Sequence, residues 1–181
     1  MNSLCVFLGS SIGNDKSFSE AAKNLGKFLA NKKVEIIYGG ACIGLMGELA
    51  NASLQAGGVV KGVLPQQFGS KGIVHEGLSK LYTVKSMHER KAMMYQMCEG
   101  AFILPGGVGT LDEMFEFVTW NQLQIHNKPV AVLNVGGYFD HLIQFLDHSF
   151  LRKFSNKNVF DHTKFSDSIQ ELWDFLSTGS K

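Results

Sequence analysis

Two hydrophobic signatures take turns along this chain. Leu4–Leu8, Val34–Tyr38, Val59–Leu64, Leu81–Val84, Ala101–Leu104 and Pro129–Asn134 are short apolar runs, as expected of strands covered on both faces. Between them apolar residues recur three and four positions apart, the mark of helices with one buried stripe. The first such helix opens at Ser17-Phe-Ser-Glu20, which reads as a capping box, and carries Phe18, Ala21, Ala22, Leu25, Phe28 and Leu29 on its stripe. Further helices are predicted over Leu45–Ala56, ended by Gly57-Gly58, and from a second capping box at Ser86–Glu89 to about Glu99. Others follow from the turn after Leu104 to roughly Gln124, over Tyr138–Phe150, and over Asp167–Leu176 with Ile169, Leu172, Trp173 and Leu176 inward. Val159-Phe160 is placed as a small edge strand.

Strand and helix alternate with no linker, repeat or low-complexity stretch. The pattern predicts one domain over residues 1–181, a Rossmann-like three-layer α/β/α fold with a mainly parallel sheet. Ligands in such folds bind beyond the carboxyl ends of the strands. Three loops of small residues fall there: Gly9–Gly13, Gly39–Gly44 and Gly106–Gly109. Gln66–Gly77 is polar and without periodicity, and is placed as a lid or substrate loop.

Composition narrows the chemistry only by exclusion. A net charge of +1 with 18% charged residues makes no electrostatic case for nucleic acid or for an acidic membrane surface. No apolar run nears the ~20 residues of a membrane helix, and the start of the chain lacks a basic, signal-peptide-like segment. Cys5, Cys42 and Cys98 lie far apart in apolar surroundings and are expected to be reduced core residues of a cytoplasmic protein. The histidines form no metal-ligand spacing, so no metal site is expected.

The loops carry the chemistry. Ala101–Glu113 reads as strand, glycine turn and helix start, with Thr110 placed to cap; backbone N–H groups at such a turn make an anion site. Neither a dinucleotide fingerprint nor a Walker lysine is present, which disfavours hydride transfer and nucleotide triphosphate hydrolysis. Arg90 and Lys91 sit in the first turns of a helix, where cations oppose the dipole, so they point to a bound anion unless they face solvent. Glu113 has two readings: Thr110-Leu-Asp-Glu113 is itself a capping box, and Glu113 is also a carboxylate one turn from the anion site. Met87, Met93, Met94 and Met97 are read as core or as the wall of an apolar pocket.

Met87-His-Glu-Arg90-Lys91 and Pro105-Gly-Gly-Val-Gly-Thr110-Leu-Asp-Glu113 resemble the signatures M-H-x-R-K and P-G-G-x-G-T-x-x-E of the Lonely guy (LOG) family. These are the cytokinin-activating phosphoribohydrolases, often mislabelled as lysine decarboxylases. The resemblance runs on through Val118–Leu123, Ile125–Pro129, Gly9–Ser11 and Tyr38–Gly47, so it covers most of the chain. Two positions depart from the family pattern: Ala41 stands where a third glycine is usual, and Pro65-Gln66-Gln67 where plant members carry an acid. Both bear on the choice of base.

The resemblance implies cleavage of the N-glycosidic bond of a nucleoside 5′-monophosphate, AMP or an N6-modified cytokinin nucleotide, without a cofactor. It assigns Arg90 and Glu113 as the catalytic pair, and Ser10, Met87, Lys91, Gly106, Gly107, Val108, Gly109 and Thr110 to substrate binding. It also implies a homodimer with active sites at the interface, in keeping with Met114, Phe115, Phe117, Val118, Trp120, Leu123 and Ile125, which make one helix apolar on more than one face. Two other readings stand beside it: a non-catalytic carrier of a nucleotide or pterin cofactor, and a pyridoxal-phosphate-dependent lysine decarboxylase, for which no lysine is marked.

Overall fold

A computed structural model describes residues 1–69 and 72–178. Its strands are β1 (Ser3–Phe7), β2 (Glu35–Tyr38), β3 (Val60–Pro65), β4 (Lys80–Val84), β5 (Ala101–Ile103), β6 (Val130–Leu133) and β7 (Thr163–Ser166). Its helices are α1 (Lys16–Asn31), α2 (Gly44–Gln55), α3 (Met87–Met97), α4 (Val108–Gln122), α5 (Asp140–Leu151) and α6 (Ile169–Thr178). The strands form one sheet in the order β4-β3-β2-β1-β5-β6-β7, and every neighbouring pair is parallel.

Alternation along each strand divides the core in two, because successive side chains leave a sheet on opposite faces. Leu4 and Val6 of β1 join Leu25, Leu29, Leu49 and Leu172 under α1, α2 and α6. Cys5 and Phe7 join Met94, Met114, Phe117 and Val118 under α3 and α4. The result is the three-layer α/β/α architecture expected from the pattern. The chain winds outward from β1 through β4, then returns to the middle and winds the other way from β5 through β7. The crevice between the ends of β1 and β5 is therefore the topological switch point.

Several local expectations are corrected. The N-cap of α1 is Asp15, whose carboxylate accepts from the Ser17 N–H at 2.8 Å; the Ser17 hydroxyl is buried with no partner, so the expected box does not form. Val159-Phe160 lies in a 3-10 turn (Lys157–Phe160), and the edge strand is β7, which pairs with β6 through Thr163–Ser166. Cys5 and Cys98 are buried as expected, but Cys42, in the loop after β2, is exposed. α5 begins at Asp140, after a 3-10 turn over Val135–Gly137.

The Gln66–Gly77 segment starts as a 3-10 turn (Gln66–Phe68), and Ser70 and Lys71 lie outside the described residues. Its far half is tied to the β2 exit loop: Cys42 donates to the Ile73 carbonyl at 2.7 Å and His75 to the Gly40 carbonyl at 3.0 Å.

Candidate active site

Three strand ends build the site. The β1 and β5 exits are joined by the Gly9 N–H donating to the Pro105 carbonyl at 3.0 Å. Gly106 has to be glycine: a Cβ there would run into the Thr110 hydroxyl and the Gly9 backbone nitrogen. α4 then starts at Val108 with Gly107 as N-cap and no side chain closing its end. Its first N–H groups are left for an anion, in the positive end of the helix dipole. Thr110 is thus not a cap. It sits inside the first turn, buried, with its hydroxyl packed toward Gly106.

Glu113 does not cap either, because a distant partner claims it. α3 starts at a formed cap, the Glu89 N–H donating to the Ser86 hydroxyl at 3.1 Å, and this aims Arg90 back across the sheet ends. Arg90 Nη2 lies 3.1 Å from Glu113 Oε1, and its Nε donates to the Val63 carbonyl at 3.2 Å. Both side chains are nearly enclosed, 13% and 11% exposed, so the pair interacts in a medium far less polar than water. Burial pushes the Glu113 carboxyl above the ordinary carboxylate range. Arg90 pulls it back down, while Asp112 and Glu116 add to the rise.

A cleft of about 310 Å³ opens over this pair. Ser10, Arg90, Gly107, Gly109, Thr110 and Glu113 line it, and Leu8, Met46 and Val108 supply its apolar wall. An anion donor set and a buried carboxylate thus face one space. Gly106 belongs to the adjoining cleft of about 250 Å³, where the Tyr138 hydroxyl donates to its carbonyl at 2.6 Å. Met87 is half-exposed beside the pair, its sulfur 4.0 Å from Arg90 Nη1.

Lys91 goes elsewhere. Its ammonium lies 3.0 Å from both Asp112 Oδ2 and Glu116 Oε2, on the flank of α4 away from the cleft. Adjacent helical residues point about 100° apart, so the neighbour of a residue facing the cleft turns away from it. Sequence reasoning missed Met46, Leu8 and Tyr138. For Tyr138 the pattern offered no signal, because it read as part of a helix.

An open helix N-terminus at the switch point of a doubly wound parallel sheet, beside an enclosed arginine–carboxylate pair, defines a class: Rossmann-like α/β domains with a polar cleft at the carboxyl ends of their strands. Known proteins narrow it. The family model described as "Possible lysine decarboxylase" matches residues 46–176. A rice protein (Oryza sativa subsp. japonica) named "Probable cytokinin riboside 5'-monophosphate phosphoribohydrolase" is 48% identical over 144 residues, 80% of this chain and 63% of that protein. A Rhodococcoides fascians protein named "Cytokinin riboside 5'-monophosphate phosphoribohydrolase" is 41% identical over 84% of this chain and 77% of its own length. The chain belongs to this Lonely guy (LOG) family. It spans less than two thirds of the rice relative and about three quarters of the bacterial one.

The fold is shared more widely. A molybdenum cofactor binding protein from Rippkaea orientalis superposes with a TM-score of 0.74 at 18% identity, covering 98% of this chain and 96% of that one. The molybdenum cofactor carrier protein of Chlamydomonas reinhardtii gives 0.71 at 18% identity, covering 97% and 98%. At such identity the likeness concerns the fold alone.

Proposed function

We propose that this single domain hydrolyses the N-glycosidic bond of an adenine nucleoside 5′-monophosphate, AMP or its N6-modified forms, to free base and ribose 5-phosphate. The observation that carries the proposal is the enclosed Arg90–Glu113 pair, 3.1 Å apart, in the same cleft as the open N-terminus of α4. The 5′-phosphate is bound by the N–H groups from Gly107 to Thr110, with Ser10 alongside, and that remote binding energy orients the ribose.

Water adds its hydroxyl to C1′ as the C1′–N bond breaks. The base leaves with the bonding electrons, and the proton released by the water balances its charge. The reacting sugar gains oxocarbenium character, which a carboxylate beside it stabilises. Glu113 does this and orients the attacking water; its raised pKa brings its basicity nearer the operating pH. Arg90 has no proton to give near neutrality, so its part is electrostatic, offsetting charge on the departing base or the phosphate. Lys91 enters as a brace of α4 on α3, since two carboxylates already hold its ammonium.

The family model's description does not fit the cleft as well. A pyridoxal phosphate Schiff base needs a lysine amine facing the cofactor, and among the described residues no lysine lines this cleft. Three free thiols suit a reducing, cytoplasmic setting. Val108 at the cleft mouth and Leu123 and Ile125 at the other end of α4 are exposed apolar residues, which supports a homodimer closing over the site. Sedimentation should return a dimer mass, and a monomer at micromolar concentration overturns that part.

The activity test is direct. Purified protein given AMP and N6-isopentenyl-AMP should release free base on chromatography, and adenosine should yield little. Tight nucleotide binding with no base release makes the protein a carrier instead.

A further inference from the structure

Gly39, at the end of β2, follows the last strand residue, Tyr38. Its neighbour Gly40 has a φ of +79°, a conformation that favours glycine; Gly39 is not among the positive-φ glycines, so its backbone would accept an alanine. The reason for a glycine there lies across the site. A Cβ on Gly39 would stand 2.5 Å from Arg90 Nη2 and 3.5 Å from Arg90 Cζ, with Met46 Sδ at 3.3 Å. The Nη2 end of the guanidinium lies closest to the bare end of β2.

We propose that Gly39 is the positioning residue of Arg90: its missing side chain is what allows the guanidinium to reach the Val63 carbonyl and Glu113 at once. The catalytic consequence rests on the proposed function; the placement of Arg90 does not. Ordinary contact between such atoms is about 3.5–4.0 Å, so a methyl at residue 39 drives Nη2 back by about 1 Å. The ion pair at 3.1 Å and the Nε hydrogen bond at 3.2 Å have no slack to absorb that shift. All three atoms nearest the added methyl belong to side-chain ends, so the arginine and the methionine yield and the backbone stays in place. Glu113 then loses its enclosed partner, and its carboxyl rises further from the ordinary range.

The test is Gly39→Ala, alone and combined with Arg90→Ala. In the otherwise unchanged protein, kcat for AMP should fall about 100-fold, the usual effect of a 1 Å misplacement. In the Arg90→Ala background the same change should alter kcat by less than about twofold, because the side chain it displaces is gone. Equal losses in both backgrounds overturn the proposal, since a glycine needed for the strand end itself would act without Arg90. A second readout does not depend on turnover. In ¹⁵N-labelled protein the Arg90 Nε–H signal, held by the Val63 carbonyl, should move or vanish in Gly39→Ala while the backbone spectrum persists. An unmoved signal overturns the proposal even if the unaltered protein releases no base, an outcome that sinks the proposed function alone.

Discussion

Arg90 and Lys91, adjacent on α3, both pair with carboxylates of α4, and the two sites differ in almost everything but charge. Arg90–Glu113 faces the cleft with both partners enclosed, whereas Lys91, as enclosed as Arg90, meets carboxylates that reach solvent, Asp112 at 59% and Glu116 at 28% exposed. Glu113 is pushed toward its neutral form, chiefly by burial. Burial also works against the Lys91 charge, but hydrogen bonds and attraction from Glu116 and Asp112 outweigh it and raise its pKa. The first pair contains a carboxyl whose charged form burial disfavours and Arg90 favours. The second contains an ammonium locked in its charged form. Under the proposed function, enclosure of both partners at the switch point gives the first pair its chemistry, and carboxylates open to solvent on the flank leave the second as a fastening.

The comparison breaks first at Glu113. Glu113→Gln keeps the shape and removes the charge, and base release from AMP should fall by about 10²–10⁴-fold. AMP should still bind, since the α4 N-terminus is untouched; calorimetry measures that. Near-normal turnover would reduce the Arg90–Glu113 pair to a structural contact and overturn the catalytic assignment.

Arg90→Ala comes next, with an expected loss of about 10²–10³-fold. It also carries a sign. Removing the guanidinium removes the attraction that holds the Glu113 pKa down, so the acid limb of the kcat–pH profile should move to higher pH. An acid limb unmoved in Arg90→Ala would show that Glu113 is not the group being titrated.

Lys91 should respond differently. Lys91→Met leaves the exposed Asp112 well solvated and leaves Glu116 its bond from Tyr95, and costs on the order of 1 kcal/mol, since pairs whose carboxylates reach solvent rarely give more. Calorimetric melting should show this as a shift of about 2–4 °C for a chain of this size. The preference for AMP over adenosine should survive. If it collapses, Lys91 contacts the phosphate and the contrast between the two pairs is wrong. Its own stabilisation has a sign as well: a cation with a raised folded pKa adds stability below its unfolded value, about 10.4, and loses it as pH climbs through the folded one.

The same contrast explains how much could be read beforehand. Strand runs and helix stripes are local properties, so the layers, the parallel order and the three glycine loops at the strand ends were legible. The family signatures brought Arg90 and Glu113 together on paper. Thr110 and Glu113 nevertheless fitted a capping box as well as any real one, and only Arg90, 23 residues earlier in sequence, decides against it. Asp15 and Ser17 both suit an N-cap, and the start of α1 chose between them. Lys91 shared Arg90's motif but not its direction, which is a matter of helix geometry. Gly39 was seen as part of a glycine loop, while its role depends on a side chain from α3. What escaped the sequence was contact between distant elements.

The smallest effect tests the fastening itself. The Tyr95 hydroxyl donates to Glu116 Oε2 at 2.7 Å, the same oxygen that holds Lys91. Burial, and then the hydrogen bond to Glu116, raise the phenol pKa far above neutrality, so Tyr95 remains a donor throughout the working pH range. Its ring meets Phe117 and Trp120 edge-on, with centroids 5.1 and 5.0 Å away, so Tyr95→Phe keeps the packing and deletes the bond to Glu116 together with a longer contact, 3.4 Å, to the Glu113 backbone carbonyl. The cost should be about 1 kcal/mol in denaturant unfolding, with kcat for AMP unchanged within about twofold. A large loss of turnover from this change, which touches Glu113 only through its backbone carbonyl, would mean that the Lys91 cluster governs the reacting pair, and the two sites would have to be treated as a single device.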